Sequence, residues 1–380
     1  MVPLVAKGDR GPGPKGQGEQ WPLKPTVGGS SPCLPAGRPP RRTTSSTTFW
    51  NHTMIINDRV YGSIKITQPL ILELIQSPSL QRLKGIDSAG YPDPFFTSSS
   101  RTRFEHSVGV FYLLRKYNAS LEEQIAGLIH DVSHTALSHI TDYVFDEGST
   151  AHQNYQDDIF QKYVRKSELS TLISRHGYNL EKIIDANNFP LLETELPDLC
   201  ADRIDYSLRE GMIFKKITLV ETRVFLKHLK SNDNHWFFDN TRIAQHFADI
   251  YRECNKDFWT GLKTAIMFVS VGEYIKHALK ENYISKSDLY TTDQLLLDKV
   301  AGHHNADKKL RLLFDRMNNR IPYFNDPTNY ETSIEIKSRI IDPLCMQNGD
   351  LKRLSEINPD WGQVIATELK PQKYFIRFEK

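Results

Sequence analysis

Five of the chain's 13 histidines fall within residues 103–152. They stand in the strings Arg103-Phe-Glu-His106, Leu128-Ile-His130-Asp131-Val-Ser-His134, Leu137-Ser-His139 and Ala151-His152-Gln153. Farther on comes a second polar set, Asp202-Arg203-Ile-Asp205-Tyr206. Imidazoles and carboxylates set into apolar segments can be buried only if they are hydrogen-bonded, ion-paired or bound to a metal. A fold that accepts this chain must therefore bring helices distant in sequence together around these groups.

The surrounding text supplies such helices. Phe104, Val108, Phe111 and Leu114 recur at near-helical spacing and predict a helix over 104–117. Ser120 and Glu123 have the spacing of a capping box that opens a helix Leu121–His130. Residues 68–85 read as helical, with Pro78 dividing them into two helices. A later helix is expected to open near Pro197 and to close at Gly211. Helical periodicity continues through 216–230 and 241–281. Ile55-Ile56 and Ile64–Ile66 flank Asn57-Asp58 and Gly62, which predicts a hairpin. Ile334–Ile341 and Tyr374–Phe378 alternate as strands do. The expected fold class is mainly α, a helical bundle with a small α+β C-terminal region.

Composition sets the boundaries. Residues 1–53 are rich in Gly, Pro, Ser and Thr and have no hydrophobic period, so they are expected to be a disordered tail. They hold seven basic residues and two acidic ones, a net of +5, which leaves −3 for the rest of a chain whose net charge is +2. The run Arg38-Pro-Pro-Arg-Arg42 would suit a nuclear or anionic partner, and reads more simply as part of a solvated tail. The composition changes abruptly at Met54. The expected division is 1–53 tail, 54–285 catalytic core and 286–380 mixed α+β region. No apolar run approaches the ~18–20 residues that span a bilayer, so no membrane partner is expected. The four cysteines form no CxxC pair, which argues against a disulfide framework or a structural zinc site. An intracellular setting, cytoplasmic or nuclear, is the expectation.

His130 and Asp131 are adjacent, about 100° apart on a regular helix, so both can reach one ion only where the helix ends. Imidazole with carboxylate suits Fe, Mn, Zn or Mg. Two more protein ligands are needed, and His106 and Asp202 are the candidates. His130 and His134 also have the H-x-x-x-H spacing of a zinc-peptidase helix, but Asp131 stands where that motif needs its Glu. Read singly, each histidine is more often a hydrogen-bonded core residue, and Asp205–Arg209 reads as a surface ion pair worth a few tenths of a kcal/mol.

Taken together, these strings resemble the HD-domain metal-dependent phosphohydrolases. The nearest pattern is that of the deoxynucleoside triphosphate triphosphohydrolases of the SAM-and-HD-domain type and their bacterial relatives. The likeness runs over about residues 54–280, includes Ile56-Asn-Asp58, Tyr61-Gly62 and Gln81-Arg82-Leu83, and lacks a SAM domain. Lys337-Ser-Arg-Ile-Ile-Asp342-Pro343 resembles a weaker downstream motif. The resemblance implies an HD-domain bundle with one divalent metal on His106, His130, Asp131 and Asp202. It implies His134, His139 and His152 around the scissile phosphate, with His152 protonating the leaving oxygen and Asp142 fixing its orientation. It assigns Arg103 and Arg203 to the phosphates, Arg203 as a catalytic charge, and Tyr206 and Glu210 to the sugar side of the pocket.

The chain also departs from the family. Gln153 follows His152 where Glu is usual. Ser88-Ala89 stand at the Gln-Leu pair that touches the sugar. Cys254 and Leu262-Lys263 replace an Arg and a Tyr-Gln pair, for which Arg252, Lys256 or Lys263 would have to substitute, with Tyr91 or Trp259 rebuilding the sugar wall. The resemblance thus implies a nucleotide phosphohydrolase, a dNTP triphosphohydrolase with altered sugar selectivity being one form. Alternatives are a phosphohydrolase or phosphodiesterase on another nucleotide (a monophosphate, cyclic nucleotide or alarmone) and a non-catalytic HD module. A nucleotide is the expected partner. A homo-oligomer and a nucleic-acid partner stay open.

Overall fold

The computed structural model describes residues 53–145 and 155–379. Residues 1–52 of the expected tail, His152 and Gln153 lie outside the described residues. The chain opens on the expected hairpin, β1 (Met54–Asp58) and β2 (Gly62–Ile66), in antiparallel register with Ile56 opposite Ile64. Its alternation sends Ile64 and Ile66 into the core. Two helices follow, α1 (Pro69–Gln76) and α2 (Pro78–Arg82), divided at Pro78 as the spacing predicts.

α3 (Arg103–Lys116) is held at its start by a full capping box of Thr102 and Glu105. α4 (Leu121–Ile129) packs against it. Only half of the box expected at Ser120 forms. Ser120 Oγ accepts from Glu123 N at 3.1 Å, but the Glu123 carboxylate instead takes the N–H groups of Leu191 and Leu192, at 2.8 and 3.0 Å. Those donors lie in an irregular buried segment and have to be satisfied there.

The next elements are α5 (Thr141–Val144), α6 (Tyr155–Lys166), α7 (Glu168–Arg175), α8 (Leu180–Ile183) and α9 (Ala201–Ile213). Neither expected boundary of α9 holds. Pro197 lies in the loop before the helix, which begins at Ala201, and Gly211 lies inside it. A Cβ on Gly211 would sit 3.1 Å from Ile217, so this glycine serves packing rather than termination.

α10 (Leu219–His228) leads through β3 (Leu229–Ser231) and β4 (Trp236–Phe238) to α11 (Thr241–Cys254) and α12 (Leu262–Lys280). The periodicity read across 241–281 is interrupted by a π-helical turn, Asn255–Trp259. Beyond lie α13 (Asp293–Ala301), α14 (Lys308–Met317), β5 (Tyr323–Asn325), β6 (Thr332–Ile336), β7 (Leu344–Gln347), β8 (Asp350–Arg353), α15 (Leu354–Ile357), α16 (Pro359–Glu368) and β9 (Gln372–Phe378).

The fold is mainly helical with small sheets. β6 and β9 pair antiparallel, Ile334 opposite Tyr374, with β5 on the other edge of β9. β6 ends at Ile336, short of the predicted Ile341, because residues 337–343 leave the sheet. β7 pairs parallel with β4, so strand structure is not confined to the C-terminal region. One apolar cluster surrounds α3, α4, α9 and α11, and another surrounds α12 and α14. No helix among the described residues is long and apolar enough to cross a membrane.

All described core residues lie at or beyond Val60. We propose that the chain from Met54 onward folds unaided. A protein starting at Met54 is expected to melt within about 2 °C of the full chain, a shift worth less than ~1 kcal/mol. A drop several times larger in a thermal melt would contradict this.

Candidate metal centre

α3 and α9 face each other with polar stripes rather than apolar ones. Arg103, His106 and Gly109 recur every third residue on α3. Asp202, Asp205 and Arg209 recur at three and four on α9, so each set shares one helix face. His106 bridges the gap: its Nδ1 is 2.8 Å from Asp205 Oδ2 and its Nε2 is 2.8 Å from Asp202 Oδ1. Arg209 donates to both oxygens of Asp205 at 2.9 Å and to Asp58 at 3.0 Å, while Tyr61 Oη donates to Asp205 at 2.8 Å. The Asp205–Arg209 pair is therefore not the surface contact that its spacing suggested. Its side chains are 0% and 1% exposed, and it orients a histidine. A Cβ on Gly109 would lie 2.0 Å from Asp205 Oδ1, so the helices meet this closely only because residue 109 has no side chain.

His130 caps α4, and its Nδ1 is 2.7 Å from Gly127 O. A carbonyl only accepts, so Nδ1 carries the proton and Nε2 presents a lone pair. His106 faces a carboxylate with each nitrogen, Nδ1 with Asp205 and Nε2 with Asp202, so a metal ion would take the place of its Nε2 proton while Nδ1 keeps its own. The two Nε2 atoms then point at each other across 3.3 Å, and Asp202 Oδ1 stands 3.6 Å from His130 Nε2. Three electron-pair donors lie within 4.8 Å of one another. Asp131 stands outside that tight set. Its Oδ1 is 3.5 Å from His130 Nε2 and its Oδ2 is 3.8 Å from His106 Nε2, while Arg103 Nη1 holds Oδ2 at 2.8 Å.

The electrostatics call for positive charge at this point. Burial works against charging His106, but hydrogen bonds to Asp202 and Asp205 prevail and push its pKa up to about 10. His130 is raised in the same way, with Asp131 and Asp202 overcoming burial. Burial would raise Asp202, yet the two imidazoles hold it well below the usual carboxylate range. Two imidazoles and a carboxylate that hold a proton this strongly fit a divalent metal in its place.

The remaining predicted residues divide by role. His134 is buried, and its Nε2 lies 3.2 Å from Asp131 Oδ1 without the alignment of a hydrogen bond. Burial and the Arg103 guanidinium hold it well below the usual histidine range, so it stays neutral. α4 ends at Ile129, so His130 and His134 share no helix face and the peptidase arrangement does not form. His139 is more open. Its Nδ1 is 3.3 Å from Asp142 Oδ2, and Arg103 Nη2 approaches its Nε2 at 3.1 Å. A strained turn aims it: Leu137 and Ser138 have φ of 61° and 48°, and Leu137 N donates to Asp293 at 2.7 Å. Arg82 braces the preceding loop through the carbonyls of Val132 and His134.

Arg103, expected at the phosphates, is engaged by Asp131, Ser138, the Ser88 carbonyl and His139. Arg203 donates to the carbonyls of Asp198 and Thr194, Tyr206 bonds Tyr251, and Glu210 pairs with Arg101 and Trp259. Of the described residues that the resemblance assigned to the metal, the phosphate and the sugar, all except Asp142 line one cleft of about 560 Å³.

None of the substitutes expected for the missing cations reaches the cleft. Arg252 pairs with Glu368, Lys263 lies over the Phe96 ring, and Lys256 is not among the lining residues. Tyr91 bonds Asn318 instead, whereas Trp259 does line the cleft. Beyond the arginines of α3 and α9 and Arg101, the cations that line the cleft are Lys337 and Arg339. They stand in the downstream motif, and their alternation around Ser338 was the available signal.

The HD domain pattern matches residues 103–210, from the first residue of α3 into α9. The chain is 36% identical over 291 residues to the uncharacterized protein YdhJ of Bacillus subtilis, covering 76% of this chain and 88% of that one. It is 27% identical over 321 residues to the metal-dependent phosphohydrolase cns2 of Cordyceps militaris, covering 82% and 91%. A shorter stretch, 146 residues, is 32% identical to the deoxynucleoside triphosphate triphosphohydrolase SAMHD1 of Danio rerio, covering 33% and 23%. The chain belongs to the HD-domain phosphohydrolase superfamily. It is a hydrolase of that class, and its chemistry depends on a divalent metal.

The helix contact yields a test. Gly109→Ala gains about 1 kcal/mol of helix propensity. It must also displace a buried carboxylate and guanidinium, in a setting where overpacking costs about 1–3 kcal/mol and breaking a buried pair about 3–5. The variant is expected to lose roughly 2 kcal/mol or more in urea unfolding, and a gain in stability would contradict the close contact.

Proposed function

We propose that this protein hydrolyses a phosphate ester or anhydride of a nucleotide. The observation that carries the reading is that the His106–His130–Asp202 set and an aromatic wall open into one cleft. Phe96, Phe214, Phe258, Trp259 and Phe268 line it together with the metal-site residues. A cleft of about 560 Å³ falls within the ~300–1,000 Å³ typical of small-molecule sites. An apolar aromatic wall suits a planar base, and the metal end suits a phosphoryl group. The relative named a deoxynucleoside triphosphate triphosphohydrolase supports a nucleotide substrate.

His106, His130 and Asp202 would hold the metal, with Asp131 beside them. When bound, such an ion neutralises phosphoryl charge and lowers the pKa of a coordinated water. The chain's own groups do the rest. Asp205 and Gly127 keep the protons of His106 and His130 on Nδ1, so both Nε2 atoms remain ligands. His134 stays neutral and can donate or accept a hydrogen bond without adding charge. Among the described residues His139, oriented by Asp142, is a reachable histidine that can carry a proton to or from the leaving oxygen. Arg103 fixes Asp131 and His139 relative to one another, and Arg203 adds positive charge at the cleft. A pure binding module has no need of this proton-carrying pair beside a metal set.

The sugar wall bears on selectivity. Ser88 and Ala89 line the cleft with little bulk, Leu262 is not among its lining residues, and Trp259 stands edge-on to Tyr206 at 5.2 Å. Loss of one apolar contact is worth ~1–3 kcal/mol of discrimination, roughly 10–200-fold. A panel of nucleotides with Mn²⁺ and product identification tests the reading. Hydrolysis of at least one nucleotide is expected, with kcat/KM for dGTP exceeding that for GTP by less than about a thousandfold. A larger deoxy preference would refute the loose wall, and no turnover of any nucleotide would refute the substrate class.

A further inference from the structure

The turn that carries His139 is held by a segment far along the chain. Residues 289–293, which end at the first residue of α13, lie beyond the HD match at 103–210 and beyond the core boundary expected at 285. They nevertheless reach the two loops that carry cleft residues, 85–90 and 132–139. Leu289 O accepts from Ala136 N at 2.7 Å, and Thr291 O accepts from Arg82 Nη1 at 3.3 Å. A Cβ on Gly85 would lie 2.6 Å from Thr292 Cγ2, so the threonine is seated where residue 85 has no side chain. Asp293 spans the two loops with one carboxylate. Its Oδ1 accepts from Leu137 N and its Oδ2 from Asp87 N, both at 2.7 Å.

What this carboxylate joins is the frame of His139. Leu137 and Ser138 stand just before the histidine, both left-handed and neither a glycine, and such a turn persists only where its surroundings over-determine it. The N–H groups of Ala136 and Leu137 are both taken by the 289–293 segment. Ser138 Oγ donates to the Asp87 carbonyl, and a Cβ on Gly90 would lie 3.2 Å from Leu137 O, so the two loops are pressed together. Arg103 joins the same loops within the cleft. Its Nη2 donates to Ser88 O and approaches His139 Nε2, both at 3.1 Å, and its Nε donates to Ser138 Oγ at 3.0 Å. Arg103 and Asp293 are thus two pins through one pair of loops. Arg103 lines the cleft, whereas Asp293 is not among its lining residues. The metal-binding imidazoles are fixed separately, by Asp205 and Gly127.

We infer that Asp293 is a positioning residue for hydrolysis, which fixes the turn of His139 against the Asp87–Ala89 segment and so sets where His139 meets the leaving oxygen. The inference rests on the phosphohydrolase reading with His139 as a proton carrier, and adds to it a residue of the C-terminal region. A reacting group misplaced by about 1 Å costs about 100-fold in rate. Loss of Asp293 should therefore slow the chemical step while the metal set stays intact.

Wild type, Asp293→Ala and Asp293→Asn are compared as full chains with Mn²⁺, on the nucleotide of the panel that wild type turns over fastest. Asp293→Ala removes both acceptors and is expected to lower kcat about 100-fold with KM within about 3-fold. Asp293→Asn keeps one acceptor oxygen and should retain about 10-fold more kcat than the alanine variant. Both variants should melt cooperatively and carry as much metal as wild type. Amide hydrogen exchange gives a reading without turnover: in Asp293→Ala the amides of Asp87 and Leu137 should exchange at least about 10-fold faster, with α3 and α9 unchanged. An unchanged kcat, a fall in kcat matched by loss of bound metal, or unchanged exchange at those two amides would overturn the positioning role. Failure of the whole panel with wild type, alongside the expected exchange pattern, would instead refute the nucleotide and leave the anchor standing.

Discussion

Two imidazole Nε2 atoms face each other across 3.3 Å with a carboxylate oxygen beside them, and the rest of the structure exists to hold them there. Three lone-pair donors at that spacing repel unless positive charge lies between them. The arrangement persists because each histidine is fixed from behind. His106 is held by a fully buried Asp205, itself gripped by Arg209 and Tyr61, and His130 is tied to the last turn of its own helix. Groups behind metal-binding histidines fix both the tautomer and the ring orientation. Here that support reaches back to Asp58 in the first hairpin, which ties the opening strands to the centre.

The same constraint explains two features that local rules would not favour. Gly109 lies in a helix interior, where glycine costs about 1 kcal/mol relative to alanine, because Asp205 and Arg209 occupy the space of a side chain. Leu137, bulky and left-handed, accepts backbone strain next to His139. Both lie where the chain must bring polar groups to a fixed place, which is where consistency between local preference and fold is expected to break.

Much of the centre was legible in the sequence because ligand-type residues are rare inside apolar segments. His106, His130 and Asp202 stood out on those grounds and converge, and the end of α4 at His130 follows from the geometry of adjacent ligands. What stayed hidden depended on tertiary contacts. The i,i+4 spacing of Asp205 and Arg209 is the same on a solvated face and a buried one, so it could not reveal that α9 turns its polar stripe inward. Glu123 fitted a capping box locally, yet the unsatisfied N–H groups of Leu191 and Leu192 claimed it. The break at Asn255–Trp259 leaves no mark in the hydrophobic period, since apolar residues continue on both sides. Lys337 and Arg339 fell in an expected strand and in a weaker downstream motif, and their place at the cleft follows only from residues 337–343 leaving the sheet. His152 and residues 1–52 of the expected tail lie outside the described residues.

Metal content is the most direct measure of the central idea, that the paired Nε2 atoms and Asp202 require a cation. Full-length protein purified without chelator should carry close to one divalent metal ion per chain by plasma mass spectrometry. His130→Ala/Asp131→Ala should carry almost none under the same conditions. Wild-type protein free of metal and unable to take up Mn²⁺, or a double variant that retains the full complement, would contradict the account.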